Sequence, residues 1–420
     1  MKVLIFEDEK AKHLYPLTYL RPVWELRCGI STLLDKFKRT FSDDELYFWT
    51  RPEIVPLLKR KYGKPVNEIK SLMGKEGLIL VNGRWLLGTD GFAIPAKEEQ
   101  GVCGETVLYG YLASEKIQSD DNLESLLDKV ASLPKKEVPA KLINYPWDLV
   151  KYNSETIKEE FKSLGRKGIE GKMAPESVIY GSKEEVWVAS GAEVHPMVVL
   201  DTHGGPVIIA EGTKVFPFTR IEGPSYIGPD CQIVGGKIRE GCSFGPGCRV
   251  GGEVEESIIQ GHSNKYHDGF LGHAYVGEWV NLGALTTNSD LKNNYSTVTV
   301  YGNGTLQDTG EMKIGSFIGD HTKTSIGTIL NTGTVIGIMC NVVGVGHLLP
   351  KYLPSFAWFL EGKVMKGFGL QSQIETAVTT MSRRKVHLLP EEKDLIAYVY
   401  ETTKGERLEA VRKSRGSATP

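Results

Sequence analysis

Between residues 221 and 343 an apolar side chain returns, with interruptions, at every sixth position of the chain. A period of six differs from the period of about 3.6 of a helix and from the period of about 2 of an ordinary strand. The repeated positions are Ile221, Ile227, Ile233, Phe244, Val250, Val276, Leu282, Ile318, Thr324, Leu330, Ile336 and Val342. Such a short period is typical of hexapeptide β-helices and predicts a solenoid.

Each six-residue unit supplies one short strand and one turn, and its periodic residue points into a three-sided prism. Three units, about eighteen residues, complete a coil, and the coils stack at the strand spacing of about 4.8 Å. Glycine often follows the inward residue, which we attribute to tight corners and to corner positions that need φ > 0. A glycine-rich sandwich of short strands is the alternative, and the fixed register favours the solenoid over it.

Composition and charge argue against nucleic-acid and membrane partners. The chain has 420 residues and a formal net charge of −2, so we expect no nucleic acid bound to a broad basic surface. No apolar run approaches the ~20 residues of a membrane span, and the start M-K-V-L-I-F-E-D-E-K turns acidic too soon for a signal peptide. The six cysteines form no C-x-x-C pair, which indicates a reducing cytoplasm. We therefore expect a cytoplasmic protein without a membrane partner.

The first 150 residues alternate predicted strands with predicted helices. Strands are predicted at residues 3–6, 46–50 and 77–81, with helices between them. This order favours an α/β domain with a parallel sheet and a ligand site at the carboxyl ends of its strands.

The remaining chain divides into three parts. We predict a linker helix in 151–172, a β-helix in 173–349, and an extended exit with C-terminal helices in 350–420. Within the β-helix the six-residue repeat stops at 297–313, where a hairpin is predicted to turn at Asn303 and Gly304.

Two motifs of the solenoid carry a family resemblance. K-Y-H-D-G-F-L-G (265–272) and V-G-E-W-V-N-L-G-A (276–284) resemble the acetyltransferase half of the bifunctional N-acetylglucosamine-1-phosphate uridyltransferase/glucosamine-1-phosphate acetyltransferase family. The closest match is a divergent bacterial branch, with further motifs at 287–295, 319–324, 330–337 and 354–358. The resemblance implies a left-handed β-helix and a homotrimer whose acyl donor, acetyl-CoA, lies between neighbouring subunits.

The resemblance also implies roles for residues of the solenoid. His267 matches the family's catalytic base, Asn281 matches a sugar-binding asparagine, and the backbone at Ala284 matches a position near the acyl thioester. Histidine suits such a base because it exchanges a proton readily near neutral pH. The other predicted substrate-binding residues are Lys265, Lys292, Asn293 and Tyr295.

Two other roles for His267 stay open on the sequence alone. A histidine at a corner can be a structural residue that bonds to a neighbouring coil. His262 and His267 also have the spacing of the zinc ligands in solenoid-type carbonic anhydrases, although Tyr226 stands where those enzymes need a third histidine.

A second resemblance concerns the N-terminal domain. L-Y-P-L-T-Y-L-R-P (14–22) is similar to the segment that follows the glycine-rich loop of sugar-1-phosphate nucleotidyltransferases, but this chain has F-E-D-E-K-A-K-H (6–13) in place of that loop. Glycines at this point allow the backbone to approach a triphosphate closely.

Two interpretations of the N-terminal site remain. In the first, Arg21, Arg27 and Arg84 clamp phosphates while Asp8 and Asp148 hold Mg²⁺. In the second, the nucleotide site is degraded and the arginines form surface ion pairs.

Three functions follow from these observations. The leading hypothesis is an acetyl-CoA-dependent N-acetyltransferase of an amino-sugar phosphate that also joins its product to a nucleoside triphosphate (UTP or dTTP) with Mg²⁺. The first alternative is a nucleotidyltransferase alone, acting for example on glucose-1-phosphate, with the β-helix as a trimerising scaffold. The second is a non-catalytic sugar-nucleotide binding protein.

Overall fold

The computed structural model describes residues 1–41 and 45–416, and its first part is an α/β domain. Its central sheet has six strands in the order β4-β1-β5-β8-β7-β9, in which β1 runs parallel to β4 and β5. The strands of the whole α/β domain, including two short pairs outside this sheet, are β1 (Lys2–Phe6), β2 (Arg27–Cys28), β3 (Ser31–Thr32), β4 (Leu46–Trp49), β5 (Leu78–Asn82), β6 (Trp85–Leu86), β7 (Gln100–Cys103), β8 (Thr106–Leu112), β9 (Lys135–Glu137) and β10 (Lys141–Leu142). The helices are α1 (Leu33–Thr40), α2 (Val55–Tyr62), α3 (Ile69–Leu72) and α4 (Leu123–Ala131).

A long helix, α5 (Pro146–Leu164), leads from this domain into a parallel β-helix with three faces. The strands of the β-helix before its hairpin are β11 (Gly168–Ile169), β12 (Lys172–Met173), β13 (Val178–Tyr180), β14 (Val186–Val188), β15 (Glu193–Val194), β16 (Val199–Asp201), β17 (Val207–Ile209), β18 (Lys214–Val215), β19 (Arg220–Glu222), β20 (Ser225–Ile227), β21 (Gln232–Ile238), β22 (Cys242–Phe244), β23 (Arg249–Glu255), β24 (Ile258–Gly261), β25 (Asn264–Lys265), β26 (Phe270–Gly272), β27 (Tyr275–Glu278) and β28 (Thr287–Asn288). One face pairs β11, β14, β17, β20, β22, β24 and β27 in succession. The predicted α/β domain and parallel β-helix are thus confirmed, but the sheet of the α/β domain is mixed instead of parallel, because β8 runs antiparallel to β5 and β7.

The repeated apolar residues fill the interior of the prism. Every predicted inward position, from Ile221 to Val342, is at most 6% exposed. Burying a side chain of this size contributes about 1.5–3 kcal/mol to the free energy of unfolding. The repeat therefore supplies a continuous apolar column that each coil shares with the next.

The glycine after the inward residue has a reason other than the predicted one. A Cβ on Gly245 would lie 1.9 Å from the Gln260 carbonyl oxygen of the next coil, and one on Gly337 would lie 2.3 Å from the Ser355 nitrogen. These glycines allow close stacking of the coils. The left-handed φ angles fall two positions later, at Asp230, Gly247, Trp279, His321 and Met339.

A hairpin leaves the β-helix at the place where the repeat stops. It consists of β29 (Thr299–Gly302) and β30 (Thr305–Asp308), and Asn303 and Gly304 form its turn, as predicted. The pairing of the coils continues directly across this excursion, because Tyr275 of β27 lies opposite Phe317 and Val276 lies opposite Ile318. The last strands are β31 (Phe317–Ile318), β32 (Lys323–Thr324), β33 (Ile329–Leu330), β34 (Val335–Ile336), β35 (Asn341–Val343), β36 (Tyr352–Leu353), β37 (Ala357–Leu360) and β38 (Lys363–Lys366).

Three C-terminal helices pack back onto the rest of the molecule. They are α6 (Leu370–Ser382), α7 (Pro390–Thr402) and α8 (Lys404–Gly416). One core cluster contains Trp24 of the α/β domain, Phe317 of the β-helix and Leu395 of α7, so the three parts share buried apolar surface. Within the residues described, no helix is both long and apolar enough to cross a membrane.

Two observed boundaries differ from the predicted ones. Helix α5 begins at Pro146, before the predicted linker start at residue 151, because Pro146 occupies its first turn and Asp148 caps it. Parallel pairing of the β-helix continues through β37 to Leu360, beyond the predicted end at residue 349. The C-terminal part of the chain is therefore partly solenoid.

Helix α5 is attached to the α/β domain by a buried carboxylate. Glu160 Oε1 accepts a hydrogen bond from Lys36 Nζ at 3.0 Å, and Oε2 accepts one from the Ile30 N–H at 2.7 Å. Burial opposes the charged form of Glu160, but Lys36 and Arg39 outweigh it and hold the pKa of this carboxyl below its usual value. The ion pair thus favours the folded state once Glu160 is ionised.

We expect Glu160→Gln to lower the free energy of unfolding by about 2 kcal/mol at pH 7, because Lys36 loses a charged partner. A carboxyl with a lowered folded pKa stabilises the protein above its usual pKa and loses this effect as the pH falls through the folded value. The difference between the wild type and the variant should therefore shrink below about pH 4.5. Urea unfolding at pH 7 and pH 4 measures this difference. Glu159→Gln, which changes a half-exposed partner of Lys141, is the control and should cost less than about 1 kcal/mol.

Candidate functional site

A groove of about 480 Å³ runs along one face of the β-helix. Its floor is a ladder of outward side chains, each one coil from the next, formed by Gln232, Arg249, Asn264 and Asn281. Three steps at the strand spacing give this ladder a length of about 14 Å. The elongated shape suits an extended ligand.

Three residues predicted from the sequence line this groove together. His267 and Ala284 lie at the corner that follows the ladder strands, and Asn281 is the last member of the ladder. Asn281 Oδ1 accepts a hydrogen bond from Asn264 Nδ2 at 3.1 Å. The structure therefore brings together the predicted base, the asparagine predicted to bind the sugar and the backbone predicted to lie near the thioester.

His267 is exposed, and a buried lysine supports its backbone. The ring of Tyr266 meets the His267 imidazole edge-on, with 5.4 Å between the ring centroids. Lys265 Nζ donates hydrogen bonds to the carbonyls of His267, at 2.7 Å, and Gly251, at 2.9 Å. Burial lowers the pKa of Lys265 to about 8. The predicted substrate contact of Lys265 is thus corrected, because its ammonium lies beneath the corner and fixes the backbone that carries His267.

The loop that contains the predicted substrate-binding residues Lys292, Asn293 and Tyr295 does not reach this groove within one chain. Lys292 Nζ donates to the Thr297 carbonyl of its own loop, and Asn293 and Tyr295 are exposed. None of the three lines the groove. Their predicted contact with a substrate stays a prediction.

His262, the other histidine of the zinc alternative, lies at a different corner from His267. Its ring stacks on Trp279 with 4.5 Å between the centroids, and burial lowers its pKa. In the described part of the chain, no three His, Cys, Asp or Glu side chains are grouped so that they could hold a metal ion.

A second cavity, of about 630 Å³, lies at the carboxyl ends of β1 and β4. Asp8, Thr50 and Arg51 line it from the α/β domain. The hairpin turn at Asn303 and the helix α7 at Tyr398 line it from the other side. This is the strand edge at which the sequence predicts a nucleotide site.

The three arginines predicted to clamp phosphates do not line that cavity. Arg21 is buried and binds Asp320 and Glu278 of the β-helix, each at 3.0 Å. Arg27 is buried at the same boundary, with its guanidinium over the Tyr226 ring. The predicted clamp is therefore corrected, because these guanidinium groups are already held by the folded chain itself.

Buried Arg84 forms an ion pair with the partly exposed Asp8, and this pair changes the predicted metal site. Arg84 Nε and Nη2 donate to the two carboxylate oxygens of Asp8, at 2.7 and 2.5 Å. Asp148 Oδ2 accepts the backbone N–H groups of Asn144 and Tyr145 and lines another cavity. Because one carboxylate is neutralised and the other caps a helix, Asp8 and Asp148 do not fit a shared Mg²⁺.

Known proteins match parts of this chain. A family model for sugar nucleotidyl transferases matches residues 3–167. The bifunctional protein GlmU of Carboxydothermus hydrogenoformans is 32% identical over 205 residues, which are 44% of this chain and 40% of that protein. A bifunctional sugar-1-phosphate nucleotidylyltransferase/acetyltransferase of Sulfurisphaera tokodaii is 33% identical over 90 residues, or 21% of this chain and 22% of that protein.

Among solved structures, a UDP-N-acetylglucosamine acyltransferase of Francisella novicida aligns with 58% of this chain and 91% of its own, at 13% identity and a TM-score of 0.33. The chain spans less than half the length of the two curated relatives. Residues 3–167 match the model of the sugar nucleotidyl transferase family, and part of the chain is similar to the bifunctional GlmU proteins.

Proposed function

We propose that this chain is a bifunctional transferase of nucleotide-sugar synthesis. Its β-helix transfers an acetyl group from acetyl-CoA to an amino-sugar phosphate, and its N-terminal domain joins a sugar phosphate to a nucleoside triphosphate, UTP or dTTP. The observation that carries the first activity is the convergence of His267, Asn281 and Ala284 on one groove. The second activity is supported by the family match of residues 3–167.

The acetyl transfer needs a base and an oriented amine. Asn281 binds the sugar, and the amine nitrogen attacks the thioester carbonyl near Ala284. The imidazole of His267 accepts the proton that the nitrogen loses as the new C–N bond forms. The C–S bond then breaks, and the protonated imidazole gives this proton to the sulfur, so that the carrier leaves as a thiol.

The nucleotidyl transfer is assigned to the cavity at the ends of β1 and β4. Lys12 lines this cavity, and its half-exposed ammonium can bind phosphate oxygens, whereas Arg51 already donates to Tyr15 and to the Thr18 carbonyl. No step is assigned to Mg²⁺, because Asp8 and Asp148 do not form a site for it.

We propose a homotrimer, supported by apolar side chains exposed at the corner that carries His267. Leu285 and Ile326, on adjacent coils, are 61% and 67% exposed. Packing these corners against a second copy buries them and closes the groove between chains. Sedimentation equilibrium measures the mass, and a monomer at micromolar concentration contradicts the trimer.

Coupled assays with the purified protein test the two activities. With acetyl-CoA and glucosamine-1-phosphate we expect thiol release that matches the loss of free amine, and Asn281→Ala should raise the KM for the amine about tenfold. With a sugar-1-phosphate and UTP or dTTP we expect release of pyrophosphate. Release of pyrophosphate without release of any thiol would support a nucleotidyltransferase whose β-helix is only a scaffold. Binding of the substrates without either product would support a non-catalytic binding protein.

A further inference from the structure

The groove that contains His267 is positively charged at the end away from Asn281. Arg249 belongs to its floor, and Arg383, just beyond the end of α6, lines its wall. No carboxylate is found among the described residues that line this groove. Both arginines therefore line one cavity without a lining acid to neutralise them, although Arg249 Nη1 already donates to the Asp230 carbonyl at 2.7 Å and the Cys248 carbonyl at 3.1 Å.

The turn that carries Arg383 is fastened to the β-helix at this level. Arg384 donates to the Gly247 carbonyl at 3.1 Å and to Asn264 Oδ1 at 2.8 Å. Burial, followed by the positive charge of Arg249, lowers the pKa of Arg384. The contacts hold the turn in place although the local charge is repulsive, and the exposed guanidinium of Arg383 is thereby kept at the groove.

The distance along the ladder places this charge relative to the reacting groups. Arg249 lies two steps from Asn281, through Asn264. Two steps at the strand spacing correspond to about 10 Å. A ligand that reaches His267 with one end can therefore place an anionic group near Arg249, in the groove that Arg383 also lines.

We propose that Arg383 and Arg249 bind a phosphate group of one of the two substrates, so that the C-terminal helical segment forms part of the acyl-transfer site. This inference rests on the proposed acetyl transfer for the identity of the ligands. Planar guanidinium groups bind phosphate with paired hydrogen bonds, which favours an arginine at both positions. The phosphate belongs either to the acyl carrier or to the amino sugar.

Binding measurements on the full chain separate the two sources without any turnover. Calorimetric titration uses coenzyme A against pantetheine, and glucosamine-1-phosphate against glucosamine. We expect Arg383→Gln to weaken the binding of one phosphate-bearing ligand at least about tenfold and to leave its phosphate-free counterpart unchanged. The affected pair identifies the source of the phosphate, and Arg383→Lys should restore part of the affinity.

Lys385→Gln is the matched control, because Lys385 is an exposed cation two residues further that does not line the groove. Unchanged affinities for all four ligands in Arg383→Gln overturn the inference, and so does a wild type that binds neither phosphate ligand. The proposed function is judged separately by thiol release. If the wild type transfers acetyl groups and Arg383→Gln binds all four ligands normally, only the phosphate site is refuted. If Arg383→Gln loses affinity for one phosphate-bearing ligand but the wild type transfers no acetyl group, only the acetyl transfer is refuted.

Discussion

His267→Ala should abolish most acetyl transfer while the protein remains folded. General-base catalysis by a positioned histidine is worth about 10²- to 10⁴-fold in rate, so we expect a loss of that size in kcat/KM. The imidazole is exposed and its ring contact is the edge of Tyr266. Its removal therefore costs little stability, and the melting temperature should stay within about 2 °C of the wild type.

Thiol release with acetyl-CoA and an amino-sugar phosphate measures the effect, and pyrophosphate release serves as the internal reference. The reference should be unchanged, because the N-terminal cavity does not contain His267. His387→Ala is the matched control, since His387 is exposed and does not line the groove. A loss of less than about fivefold in His267→Ala would remove the histidine from the role of base.

Arg21→Ala should destabilise the folded protein more than Glu160→Gln does. Arg21 joins the α/β domain to Asp320, which is 1% exposed, and to Glu278. Removal of one member of a buried ion pair leaves its partners without compensation and costs about 3–5 kcal/mol. Chemical unfolding followed by tryptophan fluorescence measures this loss.

The loss should depend on pH with a definite sign. Burial raises the pKa of Asp320 even beside Arg21, and the loss of Arg21 raises it further because Glu278 then acts on it unopposed. A carboxyl with a raised folded pKa destabilises the folded state increasingly as the pH rises from its usual value of 3.8 through the folded one. The deficit of the variant should therefore be smaller at pH 5 than at pH 8.

Two further variants control for the loss of an arginine as such. Arg220→Ala removes a guanidinium that is half-exposed and paired with Asp201, so it should cost less than about 1 kcal/mol. Combining Arg21→Met with Asp320→Asn and Glu278→Gln should recover much of the stability, because no buried charge is left unpaired. An Arg21→Ala variant within about 1 kcal/mol of the wild type at pH 8 would contradict the pairing.

The sequence predicted the solenoid because its fold depends on local periodicity, whereas the roles of His267, Asn281 and Ala284 were implied by a family resemblance. Once the coil length is fixed, residues 267 and 284 fall one above the other, and Asn281 stacks on Asn264. The position of the hairpin followed from its Asn-Gly turn for the same reason.

The roles of the N-terminal arginines could not be predicted in this way. Arg21 is 299 residues from Asp320 and 257 from Glu278 along the chain, so no local pattern reveals the pairing. Arg383 was missed for a different reason. Basic residues at the end of a helix usually interact with its carbonyls, and only the fold shows that this turn lies against the groove.

The hairpin that interrupts the repeat has a consequence for how this architecture diversifies. Since Tyr275 pairs with Phe317 as though nothing intervened, the pairing of these strands does not depend on the hairpin turn, although Val298 and Val300 at the base of the excursion are buried in the core. The same excursion lines the N-terminal cavity at Asn303. Mutations in the hairpin turn can therefore change the wall of the N-terminal cavity while the coils of the β-helix are kept. This hairpin is thus a place where the ligand preference of the cavity can evolve.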